Sequence, residues 1–385
     1  MRRISVRPRE NWREIVESQG LVFHTLDDGE TPYWDESSYY VLTRGEVDEL
    51  ERATYELDRM CLAAVEHVLE HRLLAQFGVS PRWHEWLCES WQRDERTIVG
   101  RFDLVYDGTA PPAMLEYNAD TPTALLEAAV IQWYWFRDQL SGRDGSASGL
   151  DQFNSLHEKL IDAWKRVGQE MSTTVHFASL SANASVEDFM TVTYLRDTAL
   201  QAGLRAEHLE VQNIGWNAGS RSFVDLEEQS IHTLFKLYPW EWLLDEQFSE
   251  NLPMATTRWL EPPWKVLLSS KALLPLLYEL FPESPYVLKA QWEPWGDTYV
   301  RKPIFSREGA NVSVYFNGQI IADTSADDEQ RFVYQEFSPL PSFDRRRMLF
   351  GSWMVNGHAC GIGIRESDGL ITGNTSRFVP HMFAG

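Results

Sequence analysis

The period of the apolar residues changes along the chain, and this change restricts the folds that the chain can adopt. Between 46 and 76 apolar residues recur at three-and-four spacing behind Thr43, which predicts a long amphipathic helix with a capped start. A second helical pattern follows Pro122 and ends in the Ser/Gly-rich stretch 141–149, which predicts an exposed loop. The chain is therefore expected to begin with helices.

The middle of the chain alternates between helical and strand periods. Strand-like runs at 175–180, 208–212 and 231–237 accompany a helical run at 186–202 that ends at Gly203. A strand, a helix and a further strand at this spacing predict a parallel α/β unit, because parallel neighbours need a crossover connection.

The last part of the chain has the two-residue period of antiparallel strands. Asn317-Gly318 and Asn356-Gly357 each separate two strand-like runs, and both pairs tolerate the positive φ that a two-residue hairpin turn requires. The predicted fold class is therefore mixed, combining α/β and α+β character. Because no repeat and no long linker is visible, residues 1–385 are expected to form one module.

The charge of the chain excludes some partners. It has 35 Lys+Arg against 57 Asp+Glu, a formal net charge of −22. Proteins that bind nucleic acids or anionic membranes through phosphates need a basic face, so neither partner is expected. No apolar run of about 18 residues and no secretory signal is visible, and the expected location is cytoplasmic.

The cysteines and histidines do not predict a metal centre or a disulfide framework. Cys61, Cys88 and Cys360 are far apart and lack CxxC spacing, so each is expected to be a small buried apolar residue. No zinc site is expected from the histidines.

The segment 101–123 carries the most informative polar side chains. Arg101 and Asp103 are two residues apart on one predicted strand, and Glu116 and Asn118 are two apart on the next, so each pair projects from one face. If the strands pair, two carboxylates and an amide oxygen suit an Mg²⁺ ion that also holds phosphates. Arg101 could then donate to phosphate oxygens. The alternative is an exposed hairpin with an Arg–Glu cross-strand pair.

Two lysines stand where an ammonium group could reach a bound anion. Lys271 lies just before the apolar run that contains Pro275, a residue favoured near helix starts. Lys302 ends a strand-like run and leads into the polar loop 305–311, which could cradle a triphosphate. This is not a Walker loop, because GxxxxGK[ST] is absent. The alternative for each lysine is a solvated surface charge.

Six segments, in order, resemble the C-terminal synthetase domain of glutathionylspermidine synthetase and its stand-alone relatives, a family with an ATP-grasp fold. They are GRFD at 100–103, LEYNAD at 115–120, LEPPWKVLLSSKALLPLLYELFP at 260–282, YVRKPIFSREGAN at 299–311, VYQEF at 333–337 and GIGIRESDG at 361–369. The resemblance runs from about residue 30 to the end, and the amidase domain of the bifunctional enzyme is not seen.

The resemblance implies a division of the module and an activity. A metal-binding hairpin and a parallel α/β pre-ATP-grasp portion would span 95–250. An antiparallel nucleotide-binding portion would span 255–385 together with the N-terminal segment, with a lid at about 285–325. The implied activity is that of an ATP-dependent carboxylate–amine ligase working through an acyl phosphate. ATP and Mg²⁺ are the expected cofactors, and the expected substrates are a small acid, glutathione or peptide-like, and an amine.

The resemblance also implies site residues by position. The expected metal ligands are Asp103, Glu116 and Asn118. The expected nucleotide-binding residues are Lys271, Lys302, Gln335 and Glu336. Arg101, Arg307 and Arg365 would stabilise the transferred phosphate and the tetrahedral adduct, as their charge suits. The expected substrate-binding residues are Thr121, Thr123, Glu187, Asp188 and Arg377.

The chain departs from the family near the substrates. Leu237 replaces a threonine, and Arg377 stands where the family places an acidic residue near the polyamine. Because this exchange reverses the local charge, it would remove a counter-ion from a cationic amine, and acceptance of spermidine is left open.

Two functions of other classes are also compatible with the sequence. One is a nucleotide-binding protein that has lost ligation. The other is a Trp-rich, carbohydrate-active protein that works through a carboxylate pair. The Trp-rich segments 83–91 and 239–244 could stack on a sugar, but at helical spacing they favour core packing.

Overall fold

The computed structural model describes residues 1–140, 149–325, 331–373 and 375–385. Within these ranges the α-helices are α1 (Trp12–Ser18), α2 (Arg44–Glu70), α3 (His84–Gln92), α4 (Gln132–Leu140), α5 (Leu156–Glu170), α6 (Val186–Gln201), α7 (Trp240–Leu243), α8 (Val266–Ser269) and α9 (Leu273–Leu280). A π-helical turn at Glu127–Ile131 runs into α4. Short 3-10 turns lie at Leu74–Phe77, Pro81–Trp83, Val211–Asn213, Gln247–Met254 and Pro263–Lys265. The predicted exposed loop at 141–149 lies outside the described residues, apart from Gly149.

The strands form parallel and antiparallel sheets. In chain order they are β1 (Arg2–Ser5), β2 (Ser38–Thr43), β3 (Val99–Val105), β4 (Ala113–Asn118), β5 (Leu150–Asp151), β6 (Thr174–Ser179), β7 (Arg205–Glu210), β8 (Gly215–Asn217), β9 (Ser222–Val224), β10 (Thr233–Lys236), β11 (Arg258–Leu260), β12 (Ala290–Gln291), β13 (Tyr299–Pro303), β14 (Ser313–Phe316), β15 (Gln319–Asp323), β16 (Phe332–Gln335), β17 (Ser342–Phe343), β18 (Arg346–Val355), β19 (His358–Ser367), β20 (Arg377–Val379) and β21 (His381–Ala384). The fold is therefore mixed, as predicted.

The predicted parallel unit is present. Its sheet has the strand order β11-β10-β6-β7 with every pair parallel, and α6 connects β6 to β7. The strand predicted at 208–212 was placed too late, because β7 is Arg205–Glu210 and a 3-10 turn follows it. Arg205 and Glu207 are exposed. An edge strand can carry exposed charges at alternate positions, which hides it from a search for apolar runs.

The long helix is confirmed at its start and corrected at its end. Thr43 and Glu46 form a capping box, in which Glu46 Oε2 accepts from the Thr43 amide at 2.7 Å. The helix stops at Glu70 instead of 76, and Arg72 adopts a left-handed φ of 57°. The expectation of a helical beginning was wrong, since β1 comes first and pairs with β2.

Both predicted hairpins are present with the expected turns. Asn317 and Gly318 have φ of 50° and 74° between β14 and β15. Asn356 and Gly357 have φ of 48° and 76° between β18 and β19. These positive angles are those of a type I′ turn, which Asn-Gly favours.

The sheet that carries the candidate site is antiparallel, with the order β20-β19-β18-β3-β4 and β17 beside β18. Gly351 of β18 lies opposite Asp103 of β3. A Cβ atom at Gly351 would lie 2.8 Å from Cδ of Arg101, which is closer than carbon atoms pack. The glycine therefore lets the Arg101 side chain lie across the neighbouring strand.

Most of the tryptophans in segments 83–91 and 239–244 are packed in the core instead of being free to stack on a ligand. Trp83, Trp86 and Trp240 are buried, whereas Trp242 is 47% exposed. Cys61 and Cys360 are buried as predicted, while Cys88 is only half-buried. In the part of the chain that the structure describes, no helix is both long and apolar enough to cross a membrane.

Candidate active site

A cavity of about 750 Å³ brings the predicted site residues together. It is lined from β3, β4, the start of α6, β13, the loop after β13, β16 and β19. The predicted residues that line it are Arg101, Asp103, Glu116, Asn118, Thr121, Thr123, Glu187, Asp188, Lys271, Lys302, Arg307, Gln335, Glu336 and Arg365, together with Leu237. Arg377 is not among its lining residues.

The predicted hairpin places the polar pairs face to face. β3 and β4 are antiparallel, and their register sets Arg101 opposite Asn118 and Asp103 opposite Glu116. Because side chains alternate across a strand, all four project from one face. The hairpin is not the exposed one of the alternative interpretation, since Arg101 and Asp103 are buried.

Two arginines from different strands converge on the Asp103 carboxylate. Arg101 Nε donates to Oδ1 at 2.8 Å, and Arg365 of β19 donates from Nη2 to Oδ2 at 2.6 Å. Buried charges need such partners, because an unpaired buried carboxylate is strongly disfavoured. The side chain of Asp103 therefore fixes the positions of both predicted phosphate-binding arginines.

Glu116 is surrounded by cations from the nucleotide-binding segments. Lys271 Nζ lies 3.2 Å from Glu116 Oε2. Burial would raise the pKa of Glu116, but Lys271, Lys302 and Arg101 together lower it to about 2. Burial lowers the pKa of Lys302 to about 8, against the opposite effect of Glu116. The two lysines predicted to bind ATP therefore lie beside the predicted metal ligands.

Gln335, which was predicted to bind the nucleotide, also holds Lys302. Lys302 Nζ donates to Gln335 Oε1 at 2.7 Å and to the carbonyl oxygen of Leu115 at 2.9 Å. Gln335 Nε2 donates to the carbonyl oxygen of Met114 at 3.0 Å. Strands β4, β13 and β16 are thereby cross-linked at the wall of the cavity.

The loop that follows β13 is anchored at the cavity by Lys271 and Arg307. Lys271 Nζ donates to the carbonyl oxygen of Ser306 at 2.9 Å. Arg307 donates from Nη1 to Thr121 Oγ1 and from Nη2 to Glu241 Oε1, the latter at 3.3 Å. Glu241 was not predicted as a site residue. It lies in the Trp-rich segment 239–244, where the sequence analysis considered only the tryptophans, on the short helix α7.

Part of the wall of the cavity is acidic. Glu187 and Asp188 lie in the first turn of α6, where the amide of Asp188 donates to the N-cap Ser185. Burial raises the pKa of Glu187, and burial together with Glu187 raises the pKa of Asp188 to about 6. A positively charged group entering the cavity would find its counter-ions on this wall.

Glu127, which was also not predicted, is a buried carboxyl group behind this wall. Burial and the charge of Glu187 raise its pKa to about 7, and Tyr33 donates its hydroxyl to Glu127 Oε1 at 2.8 Å. A sequence signal did exist, since Glu127 is the acidic residue within the otherwise apolar run ALLEAAVI. A charge within an apolar helical run suggests a partner or a function.

Arg377 lies on β20, away from the lining of the cavity. It is paired in register with Glu366, and its Nη2 is 3.9 Å from Asp368 Oδ2. Its predicted contact with substrate stays a prediction.

A metal ion in this cavity would be bound by the carboxylates and the amide on β3 and β4. In the described ranges, no three His, Cys, Asp or Glu side chains form a group suited to a metal ion. Mg²⁺ is commonly held by one or two carboxylates and by substrate phosphates, and this is what Asp103, Glu116 and the amide of Asn118 offer. The residues therefore fit a magnesium ion that binds together with a nucleotide.

One histidine pair was overlooked in the sequence. His67 and His71 are four residues apart on and just after α2, and their rings stack at 4.1 Å. Among the described residues, they do not belong to any group of three or more His, Cys, Asp or Glu side chains that could hold a metal ion.

Comparison with known proteins assigns the family. The family model described as glutathionylspermidine synthase preATP-grasp matches residues 3–384. The chain belongs to this family. The resemblance identified from the six sequence segments is therefore confirmed.

Its relatives include named ligases. The chain is 39% identical over 363 residues to a Haemophilus influenzae protein named "Putative acid--amine ligase", covering 91% of both chains. It is 27% identical to the bifunctional glutathionylspermidine synthetase/amidase of Escherichia coli, covering 90% of this chain but 59% of that protein. It is 28% identical to trypanothione synthetase of Crithidia fasciculata, covering 75% of this chain and 48% of that protein. These names confirm the predicted enzyme class, an ATP-dependent C–N ligase.

A solved structure has a similar fold. A glutathione synthetase like-effector from Globodera pallida superposes with a TM-score of 0.57 over 97% of this chain and 98% of that chain. The sequence identity is 12%, so the likeness concerns the fold alone.

Proposed function

We propose that this family member is a carboxylate–amine ligase that activates its acid substrate as an acyl phosphate and forms an amide. The observation that carries the proposal is the convergence of Arg101 and Arg365 on Asp103, beside the Glu116–Lys271 pair. An acyl phosphate and its tetrahedral adduct concentrate negative charge, and preformed cations in a shielded cavity stabilise it.

The nucleotide would bind along β13 and β16. Lys271 and Lys302 would hold its phosphates, and Gln335 and Glu336 would contact the adenine. Asp103, Glu116 and Asn118 would hold Mg²⁺, which neutralises phosphate charge when it is bound. In this proposal 255–385 together with the N-terminal segment is the ATP-grasp portion, with a lid at about 285–325. The metal-binding hairpin and the pre-ATP-grasp portion span 95–250.

The chemistry proceeds in two displacements. A carboxylate oxygen of the acid attacks the γ-phosphorus of ATP, the bond to ADP breaks, and an acyl phosphate forms. The nitrogen of the amine then attacks the acyl carbon, the C–N bond forms, and phosphate leaves with the electron pair of the C–O bond. The departing phosphate takes up the proton that the amine nitrogen loses in this step. Arg101, Arg307 and Arg365 bind the transferred phosphate, and the loop that carries Arg307 excludes water that would hydrolyse the intermediate.

The lining supports a peptide-like acid and an amine as substrates. Thr121 and Thr123 offer hydroxyl groups near the arginines, and Glu187 and Asp188 offer negative charge to an ammonium group. A peptide-like acid and an amine each carry an ammonium group when their nitrogen is protonated. A carbohydrate-active protein would give Lys271 and Lys302 no task, although both line the cavity.

The test is amine-dependent release of ADP. Purified protein with Mg²⁺ and ATP is incubated with a matrix of acids and amines, and the products of active pairs are identified by mass spectrometry. ADP release that requires both partners, with an amide product, supports the proposal. ATP binding without ADP release across the matrix would favour a nucleotide-binding protein that has lost ligation.

A further inference from the structure

Two separate segments bind the guanidinium group of Arg307. Thr121 accepts one of its N–H groups and Glu241 accepts another, while Trp242 lies beneath it with its ring centroid 5.4 Å from the guanidinium carbon. The side chain of Glu241 is 14% exposed and that of Arg307 is 36% exposed. Because the contact is partly shielded from water, the charge pair is stronger than one on the open surface.

A buried ion pair fixes the two partners of this arginine relative to each other. Lys236 Nζ donates to Asp120 Oδ1 at 2.6 Å, and both side chains are buried. Asp120 Oδ2 accepts from the amide of Trp240 at 2.8 Å. Asp120 directly precedes Thr121, and Trp240 directly precedes Glu241. The Asp120–Lys236 pair therefore joins the two segments that receive Arg307.

The contact between Arg307 and Glu241 is incomplete. Arg307 Nε and Glu241 Oε2 are both buried without a hydrogen-bond partner. A guanidinium and a carboxylate interact most strongly when two parallel hydrogen bonds form, and a buried polar atom without a partner is costly. An anion that offers several oxygens could therefore compete for this arginine.

We propose that Glu241 is a positioning residue that competes with the terminal phosphate of a bound nucleoside triphosphate for Arg307. The proposal rests on the proposed function, since it requires ATP in this cavity. A ligand that must break an existing contact binds more weakly by the free energy of that contact. Glu241 would thereby set the affinity for the triphosphate without touching it.

The experiment compares the binding of MgATP and MgADP by calorimetry. We expect Glu241→Gln to bind MgATP at least about threefold more tightly, because the competing charge is gone. Binding of MgADP should be unchanged, since it lacks the terminal phosphate. Asp245→Asn removes the same charge from an exposed position in the same segment and should leave both affinities unchanged. The gain should disappear when Glu241→Gln is combined with Arg307→Met.

The possible outcomes separate the two proposals. Wild-type binding of MgATP with no gain in Glu241→Gln would overturn the role of Glu241 and leave ATP binding intact. A gain that persists with Arg307→Met, or that extends equally to MgADP, would be a general charge effect and would also overturn it. Failure of the wild-type protein to bind MgATP would overturn both proposals.

Tryptophan fluorescence gives a second readout that does not depend on the stability of Glu241→Gln. If MgATP draws Arg307 away from Trp242, the tryptophan emission should change on addition of MgATP, and most of the change should be absent from Trp242→Phe. If the emission of Trp242→Phe changed on addition of MgATP as much as that of the wild type, the proposed movement of Arg307 from Glu241 to the phosphate would be contradicted.

Discussion

At the scale of single residues, the candidate site is a set of matched charges. Asp103 is paired with Arg101 and Arg365, and Glu116 is paired with Lys271. A metal ion can bind these carboxylates only if the arginines and the lysine release them and pair with other anions. The phosphates of a nucleotide are such anions. Binding of Mg²⁺ and binding of ATP are therefore expected to be coupled.

The Asp103→Asn variant tests this coupling. It removes a metal ligand and leaves Arg101 and Arg365 without the charge that positions them. We expect ligase turnover to fall by more than about 100-fold and the Mg²⁺-dependent part of ATP binding to be lost. Calorimetry with and without Mg²⁺ measures the second effect. Asp107→Asn, in the turn of the same hairpin, is the control, and equal behaviour of the two variants would remove Asp103 from the site.

Glu127 predicts a pH dependence of stability. Its pKa is raised from 4.5 to about 7 in the folded protein, chiefly by burial, and the charged groups that face it are Glu187 and Arg101, with Tyr33 donating a hydrogen bond. The folded state keeps a proton that the unfolded chain loses between these values, so this carboxyl group destabilises the fold as the pH rises through that range. Glu127→Gln should therefore gain stability relative to wild type, by up to roughly 3 kcal/mol between pH 4 and pH 8.

Urea denaturation at the two pH values measures the gain. Tyr33→Phe is the matched comparison, because it removes the hydrogen bond that lowers the pKa of Glu127 and should enlarge the pH dependence. A difference between Glu127→Gln and wild type that is the same at both pH values would contradict the prediction.

At the scale of elements, local signals were predictable and long-range pairings were not. The capped start of α2, the two Asn-Gly turns and the β3–β4 hairpin depend on neighbours in sequence, and all were predicted correctly. The pairing of β3 with β18 depends on a partner about 250 residues away, and nothing in either strand specifies it. The position of Glu241 could not be predicted because it is set by the buried Asp120–Lys236 pair, whose members are 116 residues apart.

The Gly351→Ala variant tests how β18 supports the site. The added methyl group would meet Cδ of Arg101 at 2.8 Å and push this flexible side chain away from Asp103. We expect the affinity for MgATP to fall by about tenfold, while the loss of stability stays within the range of about 1 to 3 kcal/mol usual for overpacking. Calorimetry and thermal unfolding measure the two effects.

Ser352→Ala, one residue further on the same strand, is the control for that variant. Ser352 is hydrogen-bonded to Thr54 of α2 and has no part in the cavity. It should lose stability without losing affinity. If Ser352→Ala lost affinity for MgATP and Gly351→Ala did not, the proposed support of Arg101 by β18 would be contradicted.

At the scale of the whole molecule, a strongly acidic chain encloses a cationic centre. The net charge of −22 led to the expectation that nucleic acid is not a partner, but it does not describe the cavity, where lysines and arginines from two sheets and the adjoining loops gather. Global charge therefore does not identify the amine substrate. The proposal that an amine is one of the substrates rests on the family assignment and on the local geometry.

A ligand that contacts strands of two sheets should stabilise the whole fold. MgATP at about 100 times its dissociation constant should add about 2.7 kcal/mol to the free energy of unfolding. The resulting rise of the midpoint of thermal unfolding should be a few degrees and should be measurable by calorimetric scanning. Lys302→Met should lose this rise, because it removes a phosphate-binding charge. An equal rise in that variant would argue against the proposed nucleotide site.

The distance along the chain between the members of the site has a consequence for biosynthesis. Asp103 and Arg365 meet directly, although they are separated by 262 residues. During translation, β3 and β4 leave the ribosome long before β18 and β19 exist, and unpaired strand edges of this kind attract other chains. The chain must be made as far as β19 before the candidate site can assemble. We therefore expect ribosome-bound intermediates to depend on chaperones until β18 and β19 have emerged.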